Sequence, residues 1–255
     1  MEVDVETTED GILGGKLRLR QLVRGHRVGH DAILLAAATG ARSGEHAIDL
    51  GAGVGAAGLA LAIRIPGLNV TLAEIDGELC ALAATNARLN GLHKNVRALA
   101  VDVENLNALK SAGLCNDSVD RVLMNPPFRD ARRQNVSPDP RRRLAHVGAP
   151  GLLMRWISTA AWLLKPHGVL TIIWRADGLE DLVDAAKPAF GDIAVLPVVP
   201  RTDAPAIRVL VRAVKGGSGP GLVYPALALN DVDGRPTQAA ETILRGGEPL
   251  NIARP

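Results

Sequence analysis

The chain has 255 residues, of which 47% are hydrophobic and only 2% aromatic, and its formal net charge is +2 at pH 7. This length fits one α/β core with appendages, built from Ala, Leu, Val and Ile. No apolar stretch reaches the ~18–20 residues that span a bilayer, and the acidic N-terminus is unlike a signal peptide, so we expect a cytoplasmic protein. Cys80 and Cys115 have neither CxxC spacing nor companion histidines, which argues against disulfides and zinc.

The first 28 residues are predicted to form an N-terminal extension. Gly14 and Gly15 separate two short runs, and residues 16–20 alternate polar and apolar side chains with the period of a strand. This pattern predicts a hairpin. Residues 31–39 form a compact apolar run, typical of a buried helix with Asp31 in its first turn.

The middle of the chain alternates predicted strands and helices, which indicates an α/β fold with a mostly parallel sheet and helices on both faces. Strands are predicted near residues 46–50, 69–74, 96–101, 121–124, 169–174, 192–198 and 207–214. Helices are predicted near residues 56–65, 77–90, 103–112, 150–165 and 178–187. A glycine-rich break at 216–221 separates this core, 29–215, from a C-terminal appendage, 216–255, for which we predict little regular structure.

A glycine-rich loop follows the first predicted strand of the core. Asp49 lies at the end of the strand, and Gly51, Gly53 and Gly55 precede the next helix. Ligands of such sheets bind beyond the carboxyl ends of the strands, and glycines allow sharp turns and close approach of a ligand. Glu74, which closes the second strand, can accept hydrogen bonds from two ribose hydroxyls.

The same loop allows a second interpretation. Residues 53–58 satisfy the dinucleotide fingerprint GxGxxG, with Glu74 near the expected spacing, so an NAD-binding oxidoreductase or a redox-sensing nucleotide module is an alternative. The pattern D-x-G-x-G that begins at Asp49 instead resembles the one found in methyltransferases. Asp102 closes the third strand near the expected position of an adenine, although a carboxylate there can also cap the following helix.

The most informative motif is the tetrapeptide Asn125-Pro126-Pro127-Phe128, which follows an apolar strand. Two prolines stop strand and helix, so a stiff turn projects an amide, a carbonyl and an aromatic ring together. An amino group conjugated to a ring attacks more easily if two acceptors take its hydrogens while the base stacks. Asn125 and the Pro126 carbonyl can accept and Phe128 can stack, which indicates methyl transfer to a planar nitrogen. The alternative is a structural turn with an incidental ring.

Two basic stretches flank these elements. Residues 129–143 contain six Arg and two Asp, and residues 16–27 contain five Lys or Arg and no acid. Such stretches are either solvated loops or a surface for an anionic polymer. The backbone phosphates of an RNA substrate need basic neighbours, whereas an uncharged glutamine side chain of a protein substrate does not. The basic stretches therefore favour an RNA substrate. The arginines expected to contact it are Arg129, Arg132, Arg133, Arg141, Arg142 and Arg143.

The tetrapeptide and the glycine loop carry a family resemblance. The chain resembles class I S-adenosylmethionine-dependent methyltransferases whose fourth strand ends in an Asn/Asp-Pro-Pro-aromatic motif, and it is most similar to the bacterial tRNA(Val) adenine-N6 methyltransferase family. Residues 29–36 and 163–168 extend the resemblance. It implies a Rossmann-like seven-stranded sheet in the order 3-2-1-4-5-7-6 with strand 7 antiparallel. It also implies S-adenosyl-L-methionine as cofactor, with Arg27 and Asp31 facing its methionine end.

The implied reaction is in-line attack of an adenine amino nitrogen of tRNA on the sulfonium methyl group. Such a reaction depends on orientation and preorganised acceptors, and it needs neither a metal nor a protein nucleophile. Two other acceptors remain open. Ribosomal guanine-N2 enzymes share the Phe form of the motif, and glutamine-N5 methylation of a protein needs the same two hydrogen-bond acceptors.

Overall fold

The computed structural model describes residues 6–23, 27–127 and 151–253. Within them, a nine-stranded mixed sheet lies between two layers of helices, and a separate two-stranded hairpin precedes it. The strands are β1 (Thr7–Ile12), β2 (Leu17–Leu22), β3 (His46–Leu50), β4 (Asn69–Glu74), β5 (Val96–Ala100), β6 (Val119–Met124), β7 (Leu164–Arg175), β8 (Phe190–Arg201), β9 (Arg208–Lys215), β10 (Leu222–Val223) and β11 (Leu227–Asn230). The helices are α1 (His30–Ala38), α2 (Ala56–Arg64), α3 (Gly77–Leu89), α4 (Leu106–Ser111), α5 (Leu152–Leu163), α6 (Leu179–Ala186) and α7 (Gln238–Leu244).

The N-terminal hairpin is formed by β1 and β2, which pair antiparallel. Its turn contains Gly14 and Gly15, both with positive φ, a conformation that glycine adopts at little cost. Alternate residues of β2 are buried, and Leu17 and Leu19 are fully inaccessible in the core. The polar and apolar alternation of β2 therefore gives the hairpin one buried face, as the sequence predicts.

The central sheet runs in the order β10-β8-β9-β7-β6-β3-β4-β5, and β11 also pairs with β8. Its seven core strands, β3 to β9, follow the expected order, with β9 antiparallel to both β7 and β8. The expected strand number was too low, because β10 and β11 extend the edge by pairing parallel to β8.

The C-terminal segment is more ordered than the sequence predicts. It contains β10, β11 and α7, and the backbone N–H of Leu250 donates to the Ala37 carbonyl at 2.9 Å. Leu227, Ile243 and Ile252 are buried in the same hydrophobic cluster as helices α1 and α2. The expectation of little regular structure was therefore wrong, because these apolar side chains find a place on the core.

Two hydrophobic clusters cover the two faces of the sheet. In β3, Ala47 belongs to the cluster with α1, α2 and α3, whereas Ile48 and Leu50 belong to the cluster with α5 and α6. This alternation is typical of a strand covered on both faces. In the described part of the chain, no helix is long and apolar enough to cross a membrane.

Candidate active site

The carboxyl ends of β3, β4, β5 and β6 meet at one edge of the sheet, because these strands are parallel neighbours. Leu50, the last residue of β3, pairs with Ala73 of β4 on one side and with Met124 of β6 on the other. On β4, Glu74 pairs with Ala100, the last residue of β5. This register brings the residues predicted at the strand ends to one edge: Asp49, Gly51, Gly53, Glu74, Asp102 and Asn125.

The loop between β3 and α2 turns on three glycines. Gly51, Gly53 and Gly55 have φ values of 68°, 56° and 90°, which strain residues with a β-carbon. A β-carbon on Gly51 would also clash with the Trp156 ring, whereas one on Gly53 would have no neighbour within 4 Å. Gly51 is thus required for packing, and Gly53 leaves open space above the strand ends for a ligand.

Asp49 supports the loop from below. Its side chain is only 3% exposed, and Oδ2 accepts a hydrogen bond from the backbone N–H of Gly58 at 2.8 Å. Burial raises the pKa of Asp49 to about 7, the Gly58 hydrogen bond opposes this shift, and the nearby Glu74 charge adds to it. The carboxyl group therefore anchors the first turn of α2, a contact within the protein that the sequence alone does not specify.

Glu74 contacts the loop from the neighbouring strand. Its Oε2 accepts from the Gly53 N–H at 2.7 Å, and Oε1 accepts from the Asp76 N–H at 3.0 Å. A carboxylate has about four acceptor positions, so both oxygens can still accept hydroxyl hydrogens. The next residue, Ile75, is 64% exposed and offers an apolar surface for a flat ring. Sequence reasoning missed Ile75, because periodicity at a strand end does not reveal exposure.

Asp102 lies just beyond the end of β5. Its Oδ1 accepts from the Glu104 N–H at 2.9 Å. The alternative that Asp102 caps the following helix is wrong, because the side chain of Asn105 caps α4. The backbone N–H of the preceding Val101 donates to the Glu74 carbonyl at 2.8 Å. Glu74 and Asp102 therefore lie at the ends of two neighbouring strands, β4 and β5, on the side of the loop away from β6.

Asn125 follows β6, and its side chain is the clearest indication of ligand binding at this edge. Its Oδ1 atom is buried and has no hydrogen-bond partner among the residues that the structure describes. A buried acceptor without a donor costs roughly 1–3 kcal/mol, so the atom is suited to receive a donor from a ligand. Pro126 is buried and Pro127 is half-buried. Phe128 lies outside the described residues, and so do the arginines expected to contact RNA, Arg129, Arg132, Arg133, Arg141, Arg142 and Arg143.

Arg27 and Asp31 do not pair with one another. Arg27 donates to Asp10 of the hairpin at 2.6 Å, and Asp31 accepts from Arg208 of β9 at 3.0 Å. Arg18 and Arg20 likewise pair with Glu9 of β1. Much of the basic stretch 16–27 is therefore neutralised by the facing strand of the hairpin. The cofactor contacts expected of Arg27 and Asp31 stay predictions.

The site contains no feature of a metal centre within the described ranges. No group of three or more His, Cys, Asp or Glu side chains there could hold a metal ion. Cys80 is buried and Cys115 is exposed, and neither forms a disulfide. Burial raises the pKa of the Cys80 thiol, and the Glu74 charge adds to that shift.

A comparison with protein families matches residues 27–196 to the methyltransferase small domain. The chain belongs to this family. It is 31% identical over 160 residues to a tRNA1(Val) (adenine(37)-N6)-methyltransferase of Porphyromonas gingivalis, covering 61% of each protein. It is 29% identical over 155 residues to a release factor glutamine methyltransferase of Chlorobaculum tepidum, covering 58% of this chain and 52% of that protein. The matched region thus spans less than two thirds of either relative.

Among solved structures, the chain is similar to a predicted O-methyltransferase from Agrobacterium tumefaciens. The TM-score is 0.73 at 28% identity, and the match covers 86% of this chain and 98% of that one. Together with the family match, this similarity confirms a class I, Rossmann-like methyltransferase domain of the kind that uses S-adenosyl-L-methionine. The family membership decides against the oxidoreductase interpretation of the glycine loop.

Proposed function

We propose that this protein methylates the exocyclic amino group of an adenine in tRNA. The observation that carries the proposal is the buried Oδ1 atom of Asn125, which has no donor among the described residues. An amino group presented at this edge can give one hydrogen to Asn125 and the other to the Pro126 carbonyl. Among the similar proteins, one in Porphyromonas gingivalis is named as an adenine-N6 methyltransferase of tRNA1(Val), which supports the choice of base and polymer.

The described residues fit S-adenosyl-L-methionine, which, when bound, supplies a methyl group on a positively charged sulfur. Gly53 would leave space for it, since a β-carbon there has no neighbour within 4 Å, and the Glu74 carboxylate, which holds the Gly53 N–H, would accept from the ribose hydroxyls. The exposed Ile75 would pack against the adenine ring, and Asp102 would accept from the edge of that ring. Arg27 and Asp31 remain our candidates for the methionine end.

The protein's part in the reaction is orientation and electrostatics. Positive charge develops on the attacking nitrogen, and the Asn125 and Pro126 oxygens stabilise it without reorganising. Holding both reactants at the same sheet edge replaces an encounter in solution with a preorganised geometry. We propose that the adenine leaves its base stack to reach the site and that Phe128 stacks on it. The six arginines between residues 129 and 143 contact phosphates in this proposal.

A protein glutamine is the second candidate substrate. The glutamine methyltransferase of Chlorobaculum tepidum is of similar identity, and an amide nitrogen needs the same two acceptors. The six arginines at 129–143 favour RNA, because they suit a polyanion.

The test is to incubate the protein with labelled S-adenosylmethionine and, in parallel, total tRNA, ribosomal RNA and candidate proteins. We expect label in tRNA that is recovered as N6-methyladenosine. Label recovered only as N2-methylguanosine or as methylglutamine would overturn the choice of substrate. Total tRNA that is already modified is a poor acceptor, so tRNA transcribed in vitro is included beside it.

A further inference from the structure

A groove of about 370 Å³ lies at the amino ends of β3, β4 and β5, opposite the edge that holds the candidate active site. His46 of β3, Thr71 of β4 and Arg97 of β5 line the groove, close to where each of these strands begins. β4 extends over roughly 16 Å from this end to the edge that holds the candidate active site.

The floor of the groove is a hydrogen-bonded network around Thr71. The Thr71 side chain is 1% exposed, and its Oγ1 lies 2.9 Å from His46 Nε2 and 3.1 Å from Arg97 Nε. The Arg97 contact fixes the plane of the guanidinium through one of its five N–H donors. The other four have no partner among the described residues, and together they form the planar fork that suits phosphate.

The lining of the groove contains two cations, Lys94 and Arg97, and no acidic residue. Lys94 and His93 join Arg97 in its lining, and none of the lining residues is acidic. Lys94 and Arg97 form no ion pair with any described residue. One carboxylate lies next to the lining, since Asp120 Oδ2 accepts from the His46 backbone N–H at 2.9 Å, while its Oδ1 pairs with Lys165 at 2.7 Å. Burial and the Arg97 charge lower the pKa of His46, and the Asp120 charge opposes this shift.

We propose that this groove binds a backbone phosphate of the polynucleotide substrate, at a distance from the methylated base. The inference rests on the proposed function. β4 connects the two places, because Asn69 lines the groove and Glu74 lies at the active-site edge. The ends of this strand are roughly 16 Å apart, a distance that a few nucleotides of an RNA can span. An RNA of ordinary length reaches both places at once, whereas a mononucleotide reaches only one.

The experiment compares wild type with the double variant Lys94→Gln/Arg97→Gln. The probes are tRNA transcribed in vitro, inorganic phosphate and S-adenosylhomocysteine, each titrated at a fixed pH of about 7.5 and, for tRNA, at several salt concentrations. We expect tRNA affinity to fall roughly tenfold, equivalent to about 1.4 kcal/mol. The log-log salt slope should become shallower by roughly 0.7 for each lost phosphate contact. Binding of S-adenosylhomocysteine should be unchanged.

The matched control is Arg88→Gln/Lys187→Gln, which removes the same charge from exposed positions outside the groove. An equal loss of tRNA affinity in both variants would show that net charge alone is responsible and would overturn the site. If the groove variant loses inorganic phosphate but keeps full tRNA affinity, the polynucleotide assignment is wrong. Failure of the proposed function gives a different result from failure of the groove proposal. In that case wild type would bind S-adenosylhomocysteine but methylate no RNA.

Discussion

At the scale of single residues, Asn125 is the centre of the proposed chemistry. Replacing Asn125 with Ala removes the buried Oδ1 acceptor, which lacks a partner in the described part of the chain, so folding should lose little. Turnover should fall by roughly 10²-fold or more, the effect of removing one preorganised transition-state partner. Methyl transfer is measured with labelled S-adenosylmethionine, and cofactor affinity by titration with S-adenosylhomocysteine. A variant within twofold of wild-type activity would refute the role.

Asp49 leads to a prediction about pH. Its folded-state pKa of about 7 lies above the ordinary value of 3.8, so the folded protein holds this proton more tightly than the unfolded chain. Stability from this group is therefore present at low pH and declines as pH rises from about 4 to about 7. Asp49→Asn removes this decline and keeps an oxygen that can accept from Gly58.

The measurement is urea unfolding of both proteins between pH 4 and pH 8. The free energy of unfolding of Asp49→Asn, relative to wild type, should increase over this range and level off above pH 7. Other titrating groups cancel in the difference between the two proteins. A difference that is constant with pH would contradict the assignment of a raised pKa to Asp49.

At the scale of elements, two asparagines of α3 dock the N-terminal hairpin. Asn90 accepts from Arg18 N–H at 2.9 Å and donates to its carbonyl at 2.7 Å, and Asn86 does the same with Arg20 at 2.7 and 3.1 Å. Asn86 alone also donates to the Val54 carbonyl in the glycine loop, at 3.0 Å. The hairpin and the glycine loop are thus connected through the side chain of Asn86, which is fully buried.

This difference makes Asn86→Ala and Asn90→Ala a matched pair. Both should lower the free energy of unfolding by about 1–3 kcal/mol, because each leaves backbone groups of β2 without partners. Only Asn86→Ala should weaken binding of S-adenosylhomocysteine, since only it releases the glycine loop. Chemical denaturation and ligand titration separate the two effects. Equal ligand affinities in the two variants would show that the Val54 contact does not position the loop.

The two asparagines also show what the sequence can predict. The strands and helices of the core were predicted because their periodicity is local, and the glycine loop and Glu74 were found because strand ends are recognisable. Asn86 was not found, because its partners lie 32 and 66 residues away. The groove around Thr71 was missed for the same reason, since His46 and Arg97 lie 25 and 26 residues away from Thr71 in the sequence.

At the scale of the whole molecule, the C-terminal segment determines how much of the chain folds as one unit. Its strand β10 has only two residues, too few for a periodic signal, which is why the sequence predicts little structure there. Yet Leu227, Ile243, Leu250 and Ile252 all belong to the cluster that packs around α1 and α2. Segments that share a hydrophobic cluster normally unfold together, so the glycine-rich stretch 216–221 should not separate two independent units.

Ile252→Ala tests this view, with Val232→Ala as its control in the same segment. Ile252 is inaccessible to solvent and Val232 is 62% exposed. Removing the buried side chain should cost about 2–5 kcal/mol, whereas the exposed one should change stability by less than about 0.5 kcal/mol. Because Ile252 shares its hydrophobic cluster with α1 and α2, the loss should appear as a lower midpoint of one cooperative transition, seen equally by circular dichroism and by tryptophan fluorescence. An early, separate transition in Ile252→Ala, with an unchanged main midpoint, would mean that the C-terminal segment folds apart from the core.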